Sequence, residues 1–109
     1  MESLPEKTTN KATVISALAI HAAIKANDSL SLKFIGETAG RHDQAVELFK
    51  QMVMKGFVPP EAAGLRDKLE MMVKRKSDAD YHSKFFSLRD ARGYIATAKS
   101  LIELARRLI

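Results

Sequence analysis

Residues 87–109 read SLRDARGYIATAKSLIELARRLI and carry the clearest fold signal in the chain. Ser87 and Asp90, three residues apart, approximate a helix-capping box, with Asp in place of the usual Glu. Behind this cap, apolar residues recur at steps of three and four, the period of an amphipathic helix. They are Tyr94, Ala98, Leu101, Ile102, Ala105, Leu108 and Ile109. We predict a long C-terminal helix that begins at Ser87.

A second helical pattern runs from residue 11 to residue 39 and contains seven alanines. Thr9 or Asn10 stands where a residue would cap its start, and Gly40 stands where a glycine would end it. Residues 27–29, Asn-Asp-Ser, interrupt the pattern, so one long bent helix and two shorter helices are both open. We predict a flexible tail over residues 1–9 and one helical domain over residues 10–109.

Two shorter helical patterns lie between these segments. Asp43 to Lys55 has an apolar stripe and is followed by Gly56, while Pro59 and Pro60 stand where a third helix would open. The stripe of that third helix is Leu65, Leu69, Met72 and Val73. No alternation of β-branched residues indicates a strand. The predicted fold is therefore all-α, an antiparallel four-helix bundle of the up-and-down type.

The composition excludes several classes of function. Apolar residues make up 46% of the 109 residues and charged residues 28%, which is typical of a globular domain. The chain has no cysteine, which excludes disulfides and thiolate catalysis. Its three histidines lack the spacing of a zinc site, and no glycine-rich phosphate loop is present. We therefore expect neither a metal nor a cofactor.

The positive charge lies in the second part of the chain. Residues 1–40 hold four Lys and four acidic residues, whereas residues 41–109 hold 14 Lys or Arg against 9 acids, which accounts for the whole net charge of +5. Such a basic segment suits a polyanion such as RNA, although it is also compatible with an ordinary solvated helix surface. We predict RNA contacts from Lys74, Lys76, Lys84, Arg89 and Arg92.

The start of the chain bears on localisation. The opening MESLPEKTTN lacks the basic and apolar regions of a signal peptide. No apolar run reaches the roughly 18 residues that a membrane-spanning helix needs. We expect a cytoplasmic protein that does not enter a membrane.

Residues 44–60, QAVELFKQMVMKGFVPP, resemble a single pentatricopeptide motif, a helical repeat that binds single-stranded RNA. Folds of that kind need stacked copies, because one repeat cannot bury its own apolar face. The pattern does not recur about 35 residues earlier or later in the chain. We interpret the segment as an amphipathic helix that ends before Gly-x-x-Pro.

A broader resemblance joins three segments: SALAIHAAIKANDSL at 16–30, GRHDQAVELF at 40–49 and RKSDADY at 75–81, before a long Ala/Leu helix. In order and spacing they resemble HEPN domains (higher eukaryote and prokaryote nucleotide-binding domains). The resemblance implies a helical bundle that pairs into a homodimer and, for many members, metal-independent RNA cleavage. Some members are toxins neutralised by a nucleotidyltransferase, and others are not known to be catalytic.

The nuclease signature of this family is an Arg followed, after four to six residues, by a His. Arg75 and His82 enclose six residues and fit it, whereas Lys76 stands where the family often has an uncharged polar or acidic residue. The family usually has a helix before the alanine-rich one, and we expect residues 1–9 to be too short to supply it. The predicted catalytic pair is Arg75 and His82, supported by Asp78, Asp80 and Tyr81.

If residues 75–82 are helical, Arg75 and His82 lie two turns apart on one face. An Arg can bind the scissile phosphate, and a His can transfer the proton of a ribose 2′-hydroxyl. The structural alternative is that Arg75 pairs with Asp78, Asp80 caps a turn, Tyr81 packs into the bundle and His82 faces water. The rival function is a non-catalytic module that binds a nucleotide or a partner protein such as a nucleotidyltransferase.

Two further surfaces stand out. His21, Lys25 and Asp28 share one helix stripe, which is either the lining of a pocket or a polar edge beside the core. Self-association is expected from the alanine-rich face of residues 12–26, which is too small to fill a core alone. The last helix supports it, because three residues widen its apolar arc: Ile95, Leu104 and Leu108.

Overall fold

The computed structural model describes the backbone of residues 3–82 and 86–109, and the side chains of residues 11–41, 43–75 and 86–109. Four α-helices make up most of this part of the chain: α1 (Ser3–Phe34), α2 (His42–Met54), α3 (Leu65–His82) and α4 (Leu88–Leu108). A short 3-10 helix, Pro60–Ala62, precedes α3. The described residues contain no strand, so the all-α prediction is confirmed.

Helix α1 is a single helix of 32 residues. It begins at Ser3, so the predicted start at Thr9 or Asn10 is wrong, and residues 3–9 are helical where we expected a tail. The polar residues at 27–29 do not interrupt it, because their side chains find partners that leave the helix intact. Asn27 Nδ2 donates to the carbonyl of Ala45 at 2.8 Å, which also ties α1 to α2.

Gly36, and not the predicted Gly40, ends α1. Gly36 has a φ of +86°, the left-handed conformation that glycine adopts without strain, and its N–H donates to the Ser31 carbonyl at 2.9 Å. The chain then folds back along α1, where the Ala39 N–H donates to Asp28 Oδ1 at 3.2 Å. At the end of α2, Gly56 has a φ of +79° and terminates the helix as predicted.

The predicted cap of α4 is confirmed. The Asp90 N–H donates to Ser87 Oγ at 3.1 Å, and the Ser87 N–H donates to Asp90 Oδ2 at 3.2 Å. The bonds satisfy two backbone donors that the first turn leaves unpaired. Pro60 opens the short 3-10 helix rather than α3, which starts at Leu65.

One apolar core joins the four helices, and the predicted stripes of α2, α3 and α4 contribute much of it. Its fully buried large side chains include Ile20 and Leu30 of α1, Phe49 of α2, Leu69 of α3 and Leu101 of α4. The connections add Val58 and Phe86, which belong to no helical stripe.

Helices α1 and α4 contact each other in the same order along their lengths. The Phe86 N–H, just before α4, donates to Thr13 Oγ1 at 3.1 Å, whereas Ser29, near the end of α1, shares a groove with Arg106. The two helices therefore run parallel. The up-and-down arrangement makes its first and fourth helices antiparallel, so the structure does not confirm it. The parallel course of α1 and α4 results from the connection after α1, which returns along α1 so that α2 starts beside Asn27.

Helices α3 and α4 run in opposite directions. Arg75 near the end of α3 contacts Asp90 at the start of α4, while Leu65 at the start of α3 shares a groove with Leu104. None of the helices in the described residues is both long and apolar enough to cross a membrane.

Candidate functional site

Arg75, the predicted catalytic arginine, lies where α3 meets the start of α4. Its Nη2 donates to Asp90 Oδ2 at 3.0 Å, and its guanidinium lies 5.2 Å from the centre of the Phe86 ring. The Arg75 side chain keeps 37% of its surface exposed. A guanidinium has five N–H donors, so the bond to Asp90 leaves donors for a bound phosphate.

Asp90 links this contact to the helix cap, because its Oδ2 accepts from both Arg75 and the Ser87 N–H. Arg75 is thereby held by charge-assisted hydrogen bonding and by a cation–π contact. This arrangement fastens α3 to the first turn of α4. The structural alternative paired Arg75 with Asp78 instead, and the side chain of Asp78 lies outside the described residues.

The Arg-x6-His motif places both side chains on one face only if residues 75–82 are helical. Helix α3 meets this condition, because it runs from Leu65 to His82. Arg75 and His82 therefore lie two helical turns apart. The side chains of the other predicted site residues in this segment, Asp78, Asp80, Tyr81 and His82 itself, lie outside the described residues.

A cleft of about 400 Å³ opens between α3 and α4 beside Arg75. We call it the α3/α4 cleft; its lining includes Lys68, Met71, Met72, Arg75, Arg89, Asp90, Gly93, Tyr94 and Thr97. Two carboxylates border it, and both are engaged, Asp67 with Arg66 at 3.0 Å and Asp90 with Arg75. Lys68 and Arg89 form no ion pair with a described carboxylate, so they give the cleft a positive rim.

The five predicted RNA contacts have different positions. Arg89 lines the α3/α4 cleft, whereas Lys74 and Arg92 are exposed on α3 and α4 without lining it. The side chains of Lys76 and Lys84 lie outside the described residues. Sequence reasoning missed Lys68, although it precedes Arg75 by seven residues, the spacing that joins Arg75 to His82. Extending that spacing one step back would have found it.

Tyr94 forms one wall of the cleft and packs edge-on against Phe86, with ring centres 5.6 Å apart. Burial raises the pKa of the Tyr94 hydroxyl above its ordinary value of 10.0, while Arg75 lowers this pKa and Asp90 raises it. The hydroxyl is therefore protonated at neutral pH and available as a hydrogen-bond donor.

The raised pKa predicts how stability depends on pH. The folded state holds the Tyr94 proton more tightly than the unfolded state, so this contribution is complete below about pH 10 and is lost as the pH rises through the folded-state pKa. We expect urea unfolding above about pH 10 to show a smaller loss of stability in Tyr94→Phe than in the unmodified protein. Equal losses would contradict the prediction.

The three residues of the predicted stripe, His21, Lys25 and Asp28, have different contacts. Asp28 accepts the Ala39 N–H of the connection after α1, whereas Lys25 lines a groove against α4 and His21 is exposed. The structure therefore gives the three side chains different surroundings.

The residues available for self-association differ from those predicted. Alanines of α1 such as Ala19 and Ala23 are buried in the chain's own core, and so is Leu104 at 4% exposure, so Leu104 does not widen an exposed arc. Other apolar residues remain outside. Leu18 is 64% exposed and Ile102 is 41% exposed. With Ile15, Ala22 and Ile95 they form a band that we call the α1/α4 surface.

Among the described side chains, no three His, Asp or Glu groups come together as metal ligands. The chain matches no protein-family model, and searches of curated proteins and of solved structures gave no match. The HEPN resemblance therefore rests on the sequence segments that carry it.

Proposed function

We propose that the protein binds RNA at the α3/α4 cleft and cleaves it without a metal ion, as a HEPN-like ribonuclease. The observation that carries this proposal is the convergence of Lys68, Arg75 and Arg89 on one cleft. Lys68 and Arg75 are seven residues apart on α3, and the same helix continues for seven more residues to His82. Cations along one helix face can follow the phosphates of a strand.

In the proposed reaction Arg75 binds the scissile phosphate and stabilises the charge that develops on it. The ribose 2′-oxygen attacks phosphorus and the bond to the 5′-oxygen breaks. His82 accepts the proton of the 2′-hydroxyl and returns one to the 5′-oxygen, as a histidine imidazole can. The products are a 2′,3′-cyclic phosphate and a free 5′-hydroxyl.

The family resemblance supplies the biological setting of this proposal. We infer that the protein acts in the cytoplasm as a homodimer and as the toxin of a pair whose antitoxin is a nucleotidyltransferase. The α1/α4 surface supports the homodimer, because it exposes contiguous apolar side chains from two helices. On α4, Ile95 and Ile102 face it, whereas Arg89 and Gly93 line the cleft on another side of the helix. A dimer through this surface would leave the cleft of each chain open.

The test is cleavage of a single-stranded RNA in EDTA by the unmodified protein and by Arg75→Ala and His82→Ala. Loss of a phosphate-stabilising donor or of an acid–base group typically lowers the rate by about 10²- to 10³-fold. We expect each variant to lose at least about 10²-fold, with a cyclic phosphate as the product of the unmodified protein.

The Arg75 variant needs a structural control, since it also loses the contacts to Asp90 and Phe86, worth about 1 to 2 kcal/mol together. Arg107→Ala removes the same charge from an exposed position of α4 that lines neither the α3/α4 cleft nor the α1/α4 surface, and unfolding curves show that each variant is folded. Equal cleavage by all proteins, or no cleavage by any, would overturn the ribonuclease proposal.

One observation favours the non-catalytic alternative, a module that binds a nucleotide or a partner protein. Arg75 is fastened to Asp90 and Phe86, as expected of a residue that stabilises the junction of two helices. If Arg75→Ala lowers stability while neither protein cleaves RNA, this alternative accounts for the site.

A further inference from the structure

Gly93 stands inside α4, in its second turn, where glycine destabilises a helix relative to alanine. Two reasons that commonly keep a glycine in place do not apply to it. Its φ is not positive, unlike that of Gly36 and Gly56. A Cβ built at Gly93 meets no described atom within 4 Å, so close packing does not require glycine either. Gly93 does line the α3/α4 cleft. A large side chain at this position would extend into the cleft.

The walls of the cleft suit a flat aromatic ring. Met71 and Met72 contribute thioethers, and Tyr94 contributes its ring, all groups that make favourable contacts with aromatic faces. Met71 is 60% exposed although it is apolar. The volume of about 400 Å³ is within the range of clefts that hold small molecules.

The rim of the cleft suits an anion attached to that ring. Lys68 and Arg89 stand on opposite helices and form no ion pair with a described carboxylate. An apolar interior with cations on both sides of its opening matches the chemistry of a nucleotide, in which a planar base is joined to a phosphate.

We propose that the α3/α4 cleft receives one unstacked nucleotide of an RNA strand, with its base between Met71 and Tyr94 and its phosphate on Lys68 and Arg89. This inference rests on the proposed function in taking RNA as the ligand, and it adds a base-binding site beside Arg75. Gly93 keeps the site open.

The first experiment follows the methyl signals of the five methionines by NMR while a short single-stranded RNA is added. The Met71 and Met72 signals are expected to shift, whereas that of Met54, exposed on α2, is the internal control. Unmoved Met71 and Met72 signals in the presence of bound RNA would overturn the proposal. A mononucleotide that binds as tightly as the strand would overturn the assignment to RNA and indicate a free nucleotide.

The second experiment fills the cleft. Gly93→Leu is expected to weaken RNA binding about tenfold, in line with the loss of one stacked base, while Gly93→Ala serves as the small-side-chain control. Met71→Glu, at an exposed position, should weaken RNA binding to the same extent as Gly93→Leu. It tests the site even if the leucine variant does not fold. Its matched control is Met54→Glu.

The two proposals fail in different ways. If the unmodified protein cleaves RNA and the cleft variants bind and cleave it equally well, the base site is wrong and the ribonuclease stands. If no RNA is cleaved but the Met71 and Met72 signals shift with RNA and the cleft variants lose affinity, the base site stands without the ribonuclease.

Discussion

Phe86→Ala is expected to lower the free energy of unfolding by about 3 to 5 kcal/mol, the usual cost of truncating a buried aromatic residue. Phe86 is 2% exposed and contacts both Tyr94 and Arg75. Its removal leaves a cavity where α1, α3 and α4 meet, because its own N–H is bonded to Thr13 of α1. Urea unfolding followed by circular dichroism measures the loss.

The matched control is Phe57→Ala, the same chemical change at a residue that is 38% exposed. Phe57 stacks on Phe34 with ring centres 5.2 Å apart, so its truncation should cost roughly 1 to 2 kcal/mol. A loss at Phe86 no larger than that at Phe57 would show that Phe86 does not join the three helices as its contacts indicate.

The sequence predicted the parts of the fold that depend on neighbours in the chain. The helical period located α2 and α4, the Ser87–Asp90 spacing located the cap of α4, and Gly56 located the end of α2. Each of these signals operates within a few residues, so no tertiary contact is needed to interpret it.

The sequence did not predict features that depend on distant contacts. The sequence left open whether residues 27–29 divide the first helix, because the partner of Asn27, the carbonyl of Ala45, lies 18 residues away. The pairing of Arg75 with Asp90 spans 15 residues, whereas the structural alternative considered from the sequence was a local pair with Asp78. The parallel course of α1 and α4 depends on how one connection folds back, which periodicity does not report.

The sequence predicted only part of the candidate site, because some of its residues come together through contacts that are distant in the chain. Arg75 and Arg89 were selected from the sequence, and they share a cleft. Phe86 was not, although an apolar residue just before a helix cap often packs against the first turns of the helix. Lys68 and Gly93 can be assigned to the site only once α3 and α4 are known to lie side by side.

Leu18→Glu is expected to convert the proposed dimer to a folded monomer. Leu18 is 64% exposed at the centre of the α1/α4 surface, and a carboxylate placed in an apolar interface loses hydration without gaining a partner. We expect at least about a hundredfold weaker association. Light scattering should give about twice the 12.1 kDa chain mass for the unmodified protein and one chain mass for the variant.

Met54→Glu, at a 75% exposed residue of α2, adds the same charge outside this surface and should leave the dimer intact. The charges around the α1/α4 surface add a second measurement, because Lys25 and Lys99 line its grooves and form no ion pair with a described carboxylate, whereas Arg106 pairs with Glu103 at 3.8 Å. Two copies facing each other would bring like charges together, so added salt should strengthen the dimer by screening them. Salt that weakens association would instead indicate an acidic partner surface. A monomer for the unmodified protein at micromolar concentration would reject the dimer.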